Sequence, residues 1–164
     1  MIITPDDLPR IREKHKNEKI VFCSGVFDLV HAGHLLFFED CKKHGDILVV
    51  VLGKDANVKD YKGGNRPIMN EHVRLKMVDS LKPVDYTLLD TYDAPKEDPL
   101  FLLNKFLSDL KPDFYVINND AFNISQREEM VKKHKTKLLI LDRYCPPEFD
   151  GISTTKLIEK IKRL

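Results

Sequence analysis

Two histidines three residues apart, His31 and His34, stand in a short segment that also holds two glycines and an aspartate: Gly25-Val26-Phe27-Asp28-Leu29-Val30-His31-Ala32-Gly33-His34. On a helical turn residues three apart share a face, so both imidazoles can meet the same oxygens. Gly25 lets a turn approach a ligand, and Gly33 lets a helix begin close to the strand before it. A helix N-terminus adds free N–H groups and the positive end of a dipole, so the segment reads as a cradle for phosphate. The pattern is not GxGxxG, and no GxxxxGK[ST] occurs, so neither the dinucleotide fingerprint nor the P-loop is present. An HxxH pair is also half of a zinc site, but no third ligand stands at metal spacing, and no protein-held metal is expected. The bland reading of each histidine is a hydrogen-bonded structural residue.

Placing such a segment takes a buried strand before it and a helix after it. Residues 20–24 (IVFCS) and 47–53 (ILVVVLG) are continuous apolar runs, the pattern of strands covered on both faces. Residues 86–89, 114–117 and 138–141 are further strand candidates, and helical patterns fall at 6–16, 34–44, 70–81, 99–110, 124–134 and 154–162. Asn70 can open a helix, Pro83 and Pro112 fall beyond helix ends, and Gly45 stands where a left-handed cap is useful. Strands alternating with helices predict an α/β fold: a Rossmann-like, doubly wound parallel sheet with helices on both faces and right-handed crossovers. One domain is expected over 1–164, with 92–99 (YDAPKEDP) as its loosest stretch. Such sheets bind ligands beyond the carboxyl ends of their strands, here after Ser24, Gly53, Ile117 and Leu141.

Composition narrows the partners. A chain of 164 residues buries roughly 70% of its unfolded surface, and 42% hydrophobic with 32% charged residues excludes disorder and low complexity. With 27 Lys plus Arg against 26 Asp plus Glu the formal charge is +1, without the basic excess of a general nucleic-acid binder. Cys23, Cys41 and Cys145 are odd in number, widely spaced and free of CxxC, which fits a reducing cytosol. The first residues have neither signal nor transit character, and the longest apolar run, 47–52, is too short to cross a bilayer. These features predict a soluble cytoplasmic protein acting on small molecules, without nucleic acid or membrane.

The string GVFDLVHAGH resembles the GxFDxxHxGH signature of the cytidylyltransferase-like nucleotidyltransferases. These are small Rossmann-like enzymes that move a nucleotidyl group onto a phosphorylated acceptor and release pyrophosphate. The resemblance runs from Lys19 to Leu164 through three further segments. Lys59-Asp60-Tyr61-Lys62-Gly63-Gly64-Asn65-Arg66-Pro67, continuing through Glu71, Arg74 and Val84-Asp85, is similar to the KxxKGxxRP…R…VD stretch of heptose-phosphate adenylyltransferase domains. Gly151-Ile152-Ser153-Thr154-Thr155-Lys156 is similar to the ISTT element of glycerol-phosphate cytidylyltransferases. Ile117-Asn118-Asn119-Asp120 stands where relatives often have a glycine before an acidic pair.

The resemblance implies roles. His31, His34 and Lys59 are the catalytic group: the histidines bind phosphates and stabilise the transition state, and Lys59 neutralises pyrophosphate or holds the acceptor. Gly25, Val26, Phe27, Asp28, Gly33, Asp55, Asn119, Asp120, Ser153, Thr154 and Thr155 form the nucleotide site, Asp28 and Asp55 by ordering it or by reaching the nucleotide. Lys62, Arg74 and Lys82 hold the acceptor. Mg²⁺ is expected on the triphosphate, and a homodimer is common among the relatives. Each assignment has a plainer alternative. Lys59, Lys62 and Arg66 can form a solvated loop, Arg74 and Lys82 can be exposed helix charges, Asn119 and Asp120 can shape a turn, and Ser153 can simply cap a helix.

Phe149-Asp150-Gly151 and the KGxxRP stretch favour ATP, as in heptose-phosphate adenylyltransferases, while Ile152 and Lys156 match the cytidylyl pattern. Glu148 stands near where the cytidylyltransferases carry an arginine. The expected reaction is AMP or CMP transfer from ATP or CTP to a small phosphorylated or phosphonate acceptor, a sugar phosphate or polyol phosphate, with release of pyrophosphate; a non-catalytic nucleotide sensor is the alternative of another class. An aminoacyl-tRNA synthetase relative shares the HxGH idea, but this chain has no room for an anticodon-binding module.

Overall fold

The two apolar runs of the sequence pair with each other at the centre of a parallel sheet. In a computed structural model, which describes residues 1–91, 98 and 100–164, β1 (Ile20–Gly25) lies beside β2 (Ile47–Gly53) in register from Ile20↔Ile47 to Gly25↔Leu52. β3 (Tyr86–Asp90) extends the sheet on the β2 side; β4 (Phe114–Asn118) and β5 (Lys137–Leu141) extend it on the β1 side. The spatial order is β3-β2-β1-β4-β5, every pairing parallel. The chain first winds outward from β1 to β3, then crosses back to β4. The switch point therefore falls between β1 and β4, where the carboxyl ends splay and leave a crevice.

Alternate residues of the central strands feed two cores. Ile20, Phe22, Val49, Val51 and Tyr115 pack under α1 (Leu8–Lys14), α5 (Phe101–Leu110) and α6 (Ile124–Lys133), through Leu8, Ile11, Leu107 and Val131. On the other face Val21, Cys23, Leu48 and Val50 meet Phe38 and Cys41 of α2 (Ala32–Lys42) and Leu75 and Val78 of α4 (Glu71–Asp79). Continuous apolar strands are what a sheet covered on both faces requires, because its period-2 alternation must be apolar in both directions.

Several boundaries differ from the sequence reading for physical reasons. α2 starts two residues before the expected 34, because His31 caps it, its Nδ1 accepting from the Gly33 N–H at 3.1 Å. Asn70 caps α4 as expected, its Oδ1 accepting from His72 and Val73 N–H groups. Residues 59–62, read as part of a possible loop, belong to a helix, α3 (Asp55–Lys62), which escapes periodicity because DANVKDYK is mostly polar and carries no apolar stripe at helical spacing. Two short 3₁₀ turns (Pro5–Asp7 and Pro147–Phe149) and the last helix, α7 (Thr154–Lys162), complete the elements. Of the 92–99 stretch, residues 92–97 and Pro99 lie outside the described residues.

Gly45 is needed for space rather than for a left-handed cap. A Cβ there would lie 2.7 Å from the Lys19 carbonyl oxygen and 2.8 Å from Val21 Cγ2, where the turn after α2 crosses the start of β1. Gly45→Ala should therefore lower the unfolding free energy by about 1–3 kcal/mol, the usual cost of overpacking. Denaturant titration measures this, and an unchanged midpoint would contradict the contact.

Candidate active site

A cavity of about 750 Å³ opens at the switch point. Its wall takes Ser24 to Asp28 from the end of β1 and the loop after it, His31 from the cap of α2 with Gly33 and His34 from its first turn, Lys62 from the end of α3, Arg66 from the segment after it, and Gly151 to Thr155 from around the start of α7. The ends of β4 and β5 contribute Ile117, Asn118, Asp120, Arg143 and Tyr144.

The loop from β1 to α2 is wound tightly around Asp28. Phe27 (φ 50°) and Leu29 (φ 47°) both occupy the left-handed region, which costs a non-glycine residue about 1 kcal/mol each. Asp28 holds this conformation. It is 5% exposed, and its carboxylate accepts from the Leu29, Ile68 and Met69 N–H groups at 3.1, 2.7 and 2.9 Å, with the Arg66 guanidinium 3.6 Å away. Asp28 thus orders the site: it ties the first loop to a segment forty residues on. Its backbone carbonyl accepts from the Thr154 hydroxyl at 2.9 Å, which docks α7 against the same loop.

The two imidazoles stack, with ring centroids 3.9 Å apart and planes 25° from parallel. Because His31 Nδ1 accepts from Gly33 N–H, the neutral ring carries its proton on Nε2, 3.5 Å from Thr154 Oγ1. His34 Nδ1 is buried without a hydrogen-bond partner among the described residues. A bare buried lone pair costs less than a bare buried N–H, so its proton also belongs on Nε2. The stacked rings thus carry two Nε2–H donors beside the N-terminus of α2. Burial, and then the Arg143 charge, lower the His31 pKa. Burial, followed by the His31 and Arg143 charges, pushes His34 down to about 3 against the opposing pull of Asp28. Both rings are neutral donors near neutral pH, suited to oxygens that already carry charge.

Gly33 allows the segment before α7 to close on the start of α2. A Cβ there would lie 3.1 Å from the His31 ring and 3.3 Å from the Ile152 carbonyl oxygen. Ser153 caps α7, its Oγ accepting from the Lys156 N–H at 3.2 Å, so capping is one of its jobs and lining the cavity the other.

Not every residue singled out in the sequence reaches the cavity. Gly25, Val26, Phe27, Asp28, His31, Gly33, His34, Lys62, Asp120, Ser153, Thr154 and Thr155 line it; Lys59, Asp55, Arg74, Lys82 and Asn119 do not. Lys59 is an exposed residue of α3. Arg74, expected to hold the acceptor, is 0% exposed and braces the loops instead. It donates to Met69 O at 3.1 Å, Val26 O at 2.7 Å, Gly53 O at 2.7 Å and the Asp55 carboxylate at 2.7 Å. Asp55 is accordingly that arginine's partner, an ordering role. Lys82 precedes β3, at the amino edge of the sheet and so at the end opposite the cavity. Asn119 is exposed and donates to Asp142 at 2.7 Å, steadying the segment after β5. Asp120 pairs with Arg143 at 2.7 Å on the rim.

Residues 22–160 match the family model described as Cytidylyltransferase-like. The chain belongs to the cytidylyltransferase-like family. A relative named FAD synthase, from Aciduliprofundum boonei, is 40% identical over 144 residues, covering 86% of this chain and 89% of its own. A protein named Bifunctional protein HldE, from Helicobacter pylori, is 37% identical over 150 residues; 92% of this chain matches 29% of that protein's length. Among solved structures, a lipopolysaccharide core biosynthesis protein from Thermoplasma volcanium superposes with a TM-score of 0.64 at 29% identity, covering 78% of this chain and 99% of that one. A pantoate-beta-alanine ligase from Francisella tularensis, at 19% identity and a TM-score of 0.66, shares the fold, covering 100% of this chain and 78% of that one. The family is one of nucleotidyltransferase enzymes, and this member keeps the paired histidines and the Ser153-Thr154-Thr155 element in one cavity.

Two outcomes test this picture. Arg74→Met should lower the unfolding free energy by about 3 kcal/mol or more, because it strands Asp55 and three loop carbonyls; unchanged stability with a weaker acceptor KM would restore the acceptor role. His34 is neutral when folded but titrates near 6.5 when unfolded, so the unfolded chain binds the extra proton between 6.5 and about 3. Its stability contribution is full above that window and is lost as the pH falls through it. Between about pH 7 and about pH 4 the wild type should lose more Tm than His34→Gln; equal losses would contradict the burial of a neutral ring.

Proposed function

We propose that the protein is an adenylyltransferase that joins AMP from ATP to a small phosphorylated acceptor. An oxygen of the acceptor phosphate attacks the α-phosphorus in line; a new P–O bond forms, the bond to the β-phosphate bridging oxygen breaks, and pyrophosphate leaves with the electron pair. The acceptor oxygen is already ionised, so the step needs no general base. What it needs is positioning and donors aimed at oxygens whose charge grows in the transition state.

The observation that carries this reading is the stacked pair of Nε2–H donors at the N-terminus of α2, with the Thr154 hydroxyl beside them. Their role is to donate to the α-phosphoryl oxygens, while Ser153, Thr155 and the N-terminus of α7 receive the β- and γ-phosphates. Lys62, with Arg66 behind it, faces the same space from the β2–β3 side and suits the acceptor phosphate. Mg²⁺ would arrive with the triphosphate and offset charge on the leaving pyrophosphate.

ATP is favoured over CTP by the relative named FAD synthase, since FAD contains an adenylyl group, and by the KGxxRP and Phe-Asp-Gly features. Two acceptors follow: a sugar phosphate, from the resemblance to heptose-phosphate adenylyltransferases, and FMN, from the FAD synthase relative. CMP transfer is the second reading, resting on Ile152 and Lys156.

Pyrophosphate release with Mg²⁺, testing ATP and CTP against FMN and a set of sugar phosphates, decides between them. ATP-dependent release with one acceptor is expected, and His34→Ala should cut kcat by about 100- to 1,000-fold while the variant still folds. Release with CTP alone, or near-wild-type turnover in His34→Ala, would overturn the proposal. Tight ATP binding without release would indicate a sensor.

A further inference from the structure

Across the crevice from the two histidines, α6 carries Arg127, a side chain to which the phosphate-transfer reading gives no role. It is 7% exposed and lines the cavity beside Ile117, Asn118 and Phe122. Its guanidinium lies 4.4 Å from the Phe122 ring centroid and 5.8 Å from that of Tyr115. Nε donates to the Phe122 carbonyl at 2.9 Å, and Nη1 donates to the Tyr115 hydroxyl. Nη2 has no hydrogen-bond partner among the described residues, and none of their carboxylates forms an ion pair with Arg127. Arg74, the other buried arginine, has Asp55 for its charge.

A guanidinium buried without a counter-charge is costly unless an anionic oxygen takes its open edge. The planar fork suits phosphoryl oxygens in particular. Two rings already fix its plane, so little side-chain freedom is lost when a ligand arrives. Its location gives it a distinct direction of approach. α2 packs on the Phe38 and Cys41 face of the sheet and α6 on the Val131 face, so the histidines and Arg127 meet the crevice from opposite sides.

We infer that Arg127 is a substrate-binding residue whose open guanidinium edge takes an anionic phosphoryl oxygen of one of the two substrates. The inference rests on the nucleotidyl-transfer reading and deepens it: neutral N–H donors grip the phosphates from the α2 side, and a full positive charge grips them from the α6 side. A residue that merely braced Tyr115 and Phe122 would affect stability and leave ligand affinity alone.

Calorimetric titration of the full chain separates these roles, using ATP, inorganic pyrophosphate, FMN and glucose 1-phosphate as probes. Arg127→Met should bind at least one probe about tenfold more weakly or worse, with Arg127→Lys intermediate because it keeps the charge and loses the fork. Weakened ATP and pyrophosphate together assign the oxygen to the triphosphate; weakened FMN or glucose 1-phosphate assigns it to the acceptor. Affinities of both variants within about twofold of wild type for every probe would overturn the inference. If Arg127→Met does not fold, Arg127→Lys decides by the same criterion. Wild-type pyrophosphate release distinguishes the two levels. No release with any pairing defeats the nucleotidyl-transfer reading and this inference with it; release alongside normal binding by the variants defeats the Arg127 assignment alone.

Discussion

Between two left-handed residues, Phe27 and Leu29, the buried Asp28 carboxylate accepts three backbone N–H groups, two of them from the 66–69 segment. That carboxylate sets where everything else in the cavity can stand. It fixes the turn that delivers His31 to the N-terminus of α2, and it draws Arg66 and the Lys62 segment toward the same space. The Asp28 carbonyl anchors Thr154 and, through it, α7. Arg74 completes the lock from beneath by gathering the Val26, Gly53 and Met69 carbonyls around one guanidinium. Three stretches remote in sequence thus converge on one loop whose own backbone is held against its preference. Residues in such sparsely populated conformations persist where surrounding bonds over-determine them, which is the usual arrangement at a site that must be preorganised.

The sheet order explains why this loop faces a cavity at all. Because β1 is flanked by β2 on one side and β4 on the other, the helices that follow β1 and β4 leave on opposite faces, and the space between their starts is left open. Substrate groups entering there meet different chemistry from each direction: stacked neutral imidazoles from α2, hydroxyls and a helix N-terminus from α7, and a cation from the segment after α3. Neutral imidazoles lose little by burial, which is why His34 can sit deep in the wall with its pKa pushed to about 3.

Much of this was legible in the sequence, and the failures have physical causes. The five strands and most helices declare themselves because a parallel sheet covered on both faces needs unbroken apolar runs, as at 47–53. The GVFDLVHAGH segment was legible because glycine and histidine at fixed offsets are needed by the backbone geometry itself, as the close approach of Gly33 to Ile152 shows. α3 was not, since a sequence of DANVKDYK offers no run of apolar residues at helical spacing. The burial of Arg74 was not legible because helix position does not reveal whether a guanidinium turns outward or inward; besides the nearby Met69 carbonyl it depends on Val26, Gly53 and Asp55, supplied by distant segments. Lys82 was misplaced because a motif match carries no information about which edge of the sheet a residue occupies. Gly45 looked like a cap and serves instead as clearance for the Lys19 carbonyl. Arg127 gives no local signal, because its significance comes from having no carboxylate partner among the described residues in three dimensions. Arg143, by contrast, follows β5 directly, where the switch-point rule already pointed.

The central claim is that His31 and His34 act as a pair of neutral Nε2–H donors to phosphate. Nitrogen-15 NMR of the histidine side chains, with and without ATP, tests it most directly. Near neutral pH both rings should be neutral with the proton on Nε2, and ATP should shift both Nε2 resonances while leaving each Nδ1 unprotonated. An imidazolium at either position, a proton on Nδ1, or rings indifferent to ATP would contradict the account.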